Sequence, residues 1–179
     1  MNMNPKTKKI LIAVAGFIVV VGVAVYSMML YTSSFSPEAT VNYDQNGLII
    51  KVVYCQPAKK GRTIFGSLLP YGKVWRTGAN AATLFETNRD VMVAGQMLKA
   101  GKYSLWTIPD QAEWTIIFNG QTGQWGTQHD EAQDLLKVKV PAGALATDQE
   151  SFNVNLTSTG EGAEMTLAWD VVQVKVPIE

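Results

Sequence analysis

The segment KYSLWTIPDQAEWTIIF, residues 102–118, decides the fold, because it consists of two β-rich runs joined by the short turn Pro109–Ala112. Side chains alternate between the two faces of a strand, so Trp114, Ile116 and Phe118 share one face of the second run. In the first run, Tyr103, Leu105 and Thr107 face one way, and Ser104, Trp106 and Ile108 face the other. Such a pair predicts an antiparallel hairpin with one face in a hydrophobic core.

The same alternation recurs along most of the chain and predicts roughly nine or ten short strands. The clearest segments are Leu48–Tyr54, Thr83–Glu86, Val91–Val93, Asp134–Val140, Phe152–Leu156, Met165–Trp169 and Val172–Val176. Pro141–Thr147 is the best place for a short helix. We therefore predict an all-β domain over residues 41–179, an antiparallel β-sandwich resembling a jelly roll.

A different pattern precedes this domain. Ile10–Tyr31 is a run of 22 residues without a charge, long enough for a helix to cross a bilayer core of about 30 Å. Lys6, Lys8 and Lys9 come just before it, and positive charge stays on the cytoplasmic side. The pattern predicts a transmembrane helix over residues 10–31, with residues 1–9 in the cytoplasm.

Two localisations are open at this point. An uncleaved anchor would leave residues 32–40 as a linker and hold the domain in the periplasm, on the inner membrane. A signal peptide would instead be removed and the domain secreted. The apolar run is longer than a usual signal core, and Met28–Tyr31 offers no small-residue cleavage site, although Thr32–Ser34 is a weak candidate. We favour the anchor.

Charge and cysteine content exclude some classes of protein. The whole chain has no formal net charge, but all 15 acidic residues follow residue 35, so residues 36–179 are mildly acidic. Binding to nucleic acid needs a basic surface, which argues against a nucleic-acid partner. Cys55 is the single cysteine, so no disulfide within the chain can form.

One segment, LPYGKVWRTGAN at residues 69–80, is too rich in Gly, Pro and polar groups to be an ordinary strand. Its candidate ligand-binding residues are Trp75, Arg76 and Asn80. Neighbouring residues of an extended chain point to opposite faces, so Trp75 and Arg76 can line one pocket only if the backbone kinks. Thr77–Gly78 can supply that kink.

Tyr71, Trp106 and Trp125 complete the candidate site, because aromatic faces beside amides and an arginine suit a glycan or another small polar ligand. The structural alternative is that Trp75 packs inward while Arg76 fixes the loop through backbone carbonyls or a carboxylate such as Glu86. Two further tryptophans, Trp114 and Trp169, fall on alternating apolar faces and are predicted to lie in the core.

Catalytic signatures are weak. His129 is the only histidine, and a zinc site usually needs several His or Cys ligands, so no metal is predicted and His129 is placed in a solvated loop. Ser67 and Ser104 lack a partner motif for nucleophilic catalysis. We predict no cofactor, and an enzyme is less favoured than a binding or structural protein.

Several motifs occur in one order: PYGKVWRTGAN at 70–80, AGKYSLWTIP at 100–109, EWTIIFN at 113–119 and QWG at 124–126. Together they resemble the domain of unknown function 2911 family, from about Val41 to Ile178. The resemblance implies an exported protein of Bacteroidota or related bacteria, and it implies no particular chemistry.

Two hypotheses follow. The first is a membrane-anchored extracytoplasmic β-domain that binds a small polar ligand or glycan. The alternative is a structural or assembly component of a cell-envelope complex, with a protein partner on the β-domain.

Overall fold

The computed structural model describes residues 4–179 and divides the chain into two compact units, with the boundary between Phe35 and Ser36. The first unit is one helix, α1 (Pro5–Ser34). Its segment Pro5–Met28 is long and apolar enough to cross a membrane. Every side chain of α1 that the structure describes is exposed. Apolar surface on this scale is typical of a segment that lipid or another protein covers.

The second unit is built of β-strands. They are β1 (Glu38–Gln45), β2 (Leu48–Cys55), β3 (Thr83–Thr87), β4 (Val91–Val93), β5 (Gln96–Leu98), β6 (Gly101–Ile108), β7 (Glu113–Asn119), β8 (Asp134–Ser158) and β9 (Ala163–Ile178), with a 3₁₀ turn at Glu131–Gln133. All paired strands run antiparallel, in the order β1-β2-β3-β6-β7-β8-β9-β4-β5.

The long strand β8 joins two sheets. Its first part, residues 134–141, pairs with β7, and its later part, residues 142–158, pairs with β9. Side chains from the two sheets meet in a common core: the ring of Tyr54 in β2 lies edge-on to that of Phe152 in β8, with centroids 5.6 Å apart. The predictions of an all-β antiparallel domain and of one apolar helix before it are confirmed.

Alternation decides which side chains enter this core. Tyr103 and Leu105 of β6 are buried on the core face, and Trp114 of β7 and Trp169 of β9 are 1% exposed, as predicted. On the opposite face of β6, Ser104 and Trp106 are also buried. Something must therefore cover the second face of β6. Side chains from residues 119–133 contact it there.

The predicted short helix at Pro141–Thr147 is wrong. These residues continue β8, where Ala142 and Ala144 pair with Val174 and Val172 of β9. Pairing satisfies backbone groups that a helix of one or two turns would leave largely unpaired. The register of β8 shifts after Ala144, and Lys59 holds this region by contacting Asp148 at 2.7 Å and Asp170 at 2.5 Å.

Candidate functional site

The loop at residues 69–80 is fixed along the end of β6. Trp75 forms an isolated antiparallel bridge with Thr107, with N···O distances of 2.7 and 2.9 Å in the two directions, and the amide of Gly72 donates to the carbonyl of Pro109 at 2.9 Å. The chain then turns through Thr77, which has a φ of 53°. This left-handed conformation is uncommon for a residue with a β-branched side chain. It supplies the kink anticipated at Thr77–Gly78.

Trp75 packs inward. Its side chain is 7% exposed, and its ring stacks on Trp169 with centroids 5.8 Å apart and lies edge-on to Phe152 at 4.9 Å. The indole Nε1 donates to the carbonyl of Gly78 at 3.0 Å, which satisfies the ring's polar group. Trp75 is therefore part of the core, and it also borders the surface cleft described below.

Arg76, the next residue, lies at the surface and is half-buried. Its Nη1 donates to the carbonyl oxygen of Asn80 at 3.2 Å. None of the salt bridges formed by residues 4–179 includes Arg76. Burial lowers the pKa of the guanidinium, because removal from water disfavours the charged form. Glu86, the carboxylate considered as its partner, pairs instead with Lys102.

Two neighbours hold the Arg76 side chain. Gly126 donates its amide to the carbonyl of Asn80 at 3.0 Å, so that carbonyl accepts from both Gly126 and Arg76. A Cβ on Gly126 would lie 2.6 Å from the Asn80 oxygen and 2.8 Å from Nε of Arg76. Only glycine leaves room for the arginine here. Asn80 itself has a φ of 60°, a conformation that Asn tolerates better than most residues.

A cleft of about 200 Å³ opens beside Arg76. It is bordered by one side of the 68–76 segment and by Gly126; the lining residues are Leu68, Leu69, Pro70, Lys73, Val74, Trp75, Arg76 and Gly126. Leu68 is 42% and Val74 43% exposed. The cleft therefore offers two cations and exposed apolar side chains, and no acidic residue lines it.

The other candidate residues do not line this cleft. Tyr71 is 38% exposed and its ring packs against Gly66. Trp125 is 40% exposed, and its backbone bridges to Ala81. Trp106 is 2% exposed on the other face of β6. The structure thus brings Trp75, Arg76 and the carbonyl of Asn80 together and leaves Tyr71, Trp106 and Trp125 apart from the cleft.

A polar cluster around Trp106 was not anticipated from the sequence. The hydroxyl of Ser104 accepts from Nε1 of Trp106 at 2.8 Å and from the amide of Gln124 at 2.9 Å. The ring of His129 lies 4.8 Å from that of Trp106. These contacts fasten residues 119–133 to the outer face of β6. One sequence signal could have indicated these contacts: the alternation along β6 puts Ser104 and Trp106 on the same face.

His129 also differs from its predicted position in a solvated loop, since its side chain is only 15% exposed. Its Nε2 lies 2.9 Å from Oδ1 of Asp134, which also accepts from the amide of Asn119 at 2.7 Å. Lys137 lies 3.1 Å from the other carboxylate oxygen. Burial alone would raise the pKa of Asp134, but the hydrogen bonds from Asn119, Lys137 and His129 outweigh it and lower that pKa.

Among the described residues, the contacts in this cluster hold residues 119–133 in place and do not join a nucleophile to a base. Within residues 4–179, the bonds of Ser104 go to Trp106 and Gln124, and that of His129 goes to Asp134, so no base contacts a nucleophile.

The part of the chain that the structure describes holds no group of three His, Cys, Asp or Glu side chains arranged for a metal. Burial raises the pKa of the Cys55 thiol.

Comparison with known proteins gives one family. No curated protein and no solved structure matches the chain. The family model described as "protein of unknown function (DUF2911)" matches residues 36–178, which is the whole β-domain apart from its last residue. The match agrees with the resemblance seen in the motifs at 70–80, 100–109, 113–119 and 124–126. The chain belongs to the DUF2911 family.

Proposed function

We propose that this protein is a membrane-anchored extracytoplasmic module that binds a small polar ligand in the cleft beside Arg76. One observation carries the proposal: a half-buried guanidinium borders a surface cleft and forms no salt bridge with any residue from 4 to 179. A charge that is partly removed from water is costly unless it is paired. A polar ligand would supply the missing partner.

The localisation in this proposal rests on α1 and on the lysines before its apolar part. The apolar helix supports either an anchor or a signal sequence, and Lys6, Lys8 and Lys9 favour a cytoplasmic N-terminus. On that basis we place the β-domain in the periplasm, tethered to the inner membrane. The family assignment is compatible with this localisation and does not by itself name a ligand.

The size of the cleft bounds the ligand. A volume of about 200 Å³ lies below the range of roughly 300–1,000 Å³ that is usual for drug-sized molecules. The cleft therefore suits a small molecule, or one sugar residue of a glycan, rather than a long chain. The apolar side chains at its rim would contact the body of such a ligand.

A pair of matched variants tests the site. In Val74→Trp, a large ring is placed at the cleft, and in Val171→Trp the same change is made at a similarly exposed valine of β9, outside the cleft. The full chain in detergent micelles is screened against sugars, amino acids, carboxylates and phosphates by ligand-observed NMR. We expect at least one compound whose signal Val74→Trp removes and Val171→Trp preserves.

The opposite result would favour the alternative function. If every compound that binds is unaffected by Val74→Trp, the cleft is not a ligand site. The domain would then be better described as a structural or assembly component of an envelope complex, and Arg76 as a loop anchor that acts through the carbonyl of Asn80.

A further inference from the structure

We infer that the ligand of this cleft carries an oxyanion, a carboxylate or a phosphate, which binds the guanidinium of Arg76, on a small apolar body that contacts Leu68 and Val74. This inference rests on the proposed function and narrows it to one class of ligand. It is carried by the charges, the free donors and the exposed apolar groups that border one cleft.

The charges around the cleft are of one sign. Arg76 and Lys73 are its charged lining residues. Neither takes part in a salt bridge anywhere in residues 4–179, although most other lysines of the β-domain do. Two cations without a carboxylate partner therefore border one cleft that no acidic residue lines, and an anionic ligand would supply the negative charge there.

The guanidinium also has donors to spare. Arginine carries five N–H donors in a planar fork, and the bond that the described chain accounts for is the one from Nη1 to Asn80. A fork with open donors matches the two oxygens of a carboxylate or phosphate. Such a bidentate pair is stronger than a bond between neutral groups, which favours an anion over a sugar hydroxyl.

The fork is held before a ligand arrives. Gly126 lies against the arginine side chain so closely that a Cβ would collide with it, and the carbonyl of Asn80 fixes one end of the guanidinium. A group that is already ordered loses less entropy on binding. The positioned arginine is therefore suited to a small anion, whose few contacts could not order a flexible side chain.

The apolar side chains at the rim of the cleft indicate what the uncharged part of the ligand is. Leu68 and Val74 are more than 40% exposed and border the same cleft as Arg76. Apolar surface next to a cation suits a molecule with an anionic end and a short hydrocarbon body. Inorganic phosphate, which has no body, should bind more weakly than an organic anion.

The test uses the full chain in micelles and three probes: valerate, its neutral amide valeramide, and inorganic phosphate. Labelling arginine with ¹⁵N gives separate Nε–H signals for the three arginines of the sequence, Arg62, Arg76 and Arg89. We expect valerate to shift the Arg76 signal saturably and leave the other two unchanged. Valeramide should bind at least tenfold more weakly, because it lacks the negative charge that strengthens a hydrogen bond to the guanidinium.

Two variants give the control. Arg76→Met should weaken valerate binding by about tenfold or more, while Arg89→Met, at an exposed arginine that contacts the carbonyl of Asn46, should not change it. If Arg62 and Arg89 keep the chemical shifts that they have in the parent protein, Arg76→Met is folded. Should it fail to fold, Arg76→Lys keeps the charge without the fork and is expected to weaken valerate binding in the same direction.

The outcomes separate the two levels of the proposal. Binding of valerate at Arg76 supports the oxyanion inference, whether or not inorganic phosphate also binds there. Comparing the affinities of the two anions tells whether a carboxylate or a phosphate is preferred. Equal binding of valerate and valeramide, blocked by Val74→Trp, overturns the oxyanion and keeps the ligand site. Absence of an Arg76 shift with both anions also overturns the inference, while the Val74→Trp screen decides the proposed function independently.

Discussion

At the scale of single residues, Trp75 and Arg76 show how one loop serves the core and the surface. They are neighbours in an extended segment, so their side chains point to opposite sides: the indole stacks on Trp169 inside, and the guanidinium reaches the cleft. The left-handed turn at Thr77 then brings Asn80 back under Arg76. Each residue therefore has a distinct and measurable role.

Trp75→Ala should be strongly destabilising, because it removes a buried ring that contacts three other aromatic rings. We expect a loss of about 3–5 kcal/mol in the free energy of unfolding, the usual cost of truncating a buried aromatic side chain. Trp125→Ala, at a ring that is 40% exposed, should cost clearly less. Urea denaturation of both variants measures the difference, and equal losses would show that Trp75 is not a core residue.

Arg76→Ala should have a small effect on stability. Its loss leaves no buried carboxylate unpaired, and the carbonyl of Asn80 still accepts from Gly126, so we expect a change within about 1 kcal/mol. A buried ion pair broken on one side would instead cost about 3–5 kcal/mol. Thermal unfolding of the variant decides between these values. A large fall in melting temperature would identify Arg76 as an anchor of the loop.

At the scale of elements, residues 119–133 form a connection that is fastened at both ends. Ser104, Gln124 and Trp106 hold it to β6, and Asn119, His129 and Lys137 converge on the carboxylate of Asp134 at the start of β8. That carboxylate is 2% exposed. A buried charge with several donors makes the connection sensitive to protonation.

Asp134 should contribute to the acid sensitivity of the fold. Its pKa is lowered in the folded protein, so its stabilising effect is complete above the ordinary Asp value of about 3.9 and is lost as the pH falls through the lower folded value. Asp134→Asn should lower stability at pH 6 by about 1–3 kcal/mol and reduce the loss between pH 5 and pH 2. Urea denaturation at both ends of that range measures it.

A matched control is Asp90→Asn. Asp90 pairs with Lys99 at the surface, where the carboxylate is 47% exposed, and such pairs contribute little and are screened by salt. Its effect should be smaller than that of Asp134→Asn and should vanish in high salt. If the two variants behave alike at all salt concentrations, the burial of Asp134 has no energetic consequence.

At the scale of the whole molecule, the two compact units have opposite surfaces. The described side chains of α1 are exposed and mostly apolar, whereas the β-domain buries most of its large apolar residues in a shared core. An exposed apolar helix of this length is stable only where lipid or protein covers it.

The proposed topology has a direct test. The full chain should stay in the membrane fraction in high salt and in alkaline carbonate, since an apolar span is held by burial and not by charge. Protease added to spheroplasts should digest the β-domain and spare a short N-terminal fragment. Recovery of a soluble product that begins near Ser33 would show signal cleavage. Reversing the charge of Lys6, Lys8 and Lys9 together should disturb the orientation.

The sequence by itself determined the class of the fold, because alternation and uncharged length are local properties. Period two marked β2, β6, β7 and the faces of Trp114 and Trp169, and an uncharged run of 22 residues marked α1. It also singled out Arg76 and the kink at Thr77–Gly78. What covers the second face of β6 could not be derived from that alternation, since the covering side chains, Gln124 and His129, belong to the loop that follows β7.

Only the tertiary structure decided what the site consists of. Gly126 contacts Arg76, which lies 50 residues earlier in the chain, and Trp75 contacts Trp169, which lies nearly a hundred residues later. Neither contact could be inferred from local composition. The short helix expected at Pro141–Thr147 failed for the same reason: pairing with β9 outweighs a weak local preference. Contacts between distant segments also place the guanidinium of Arg76 beside a cleft with exposed apolar side chains at its rim.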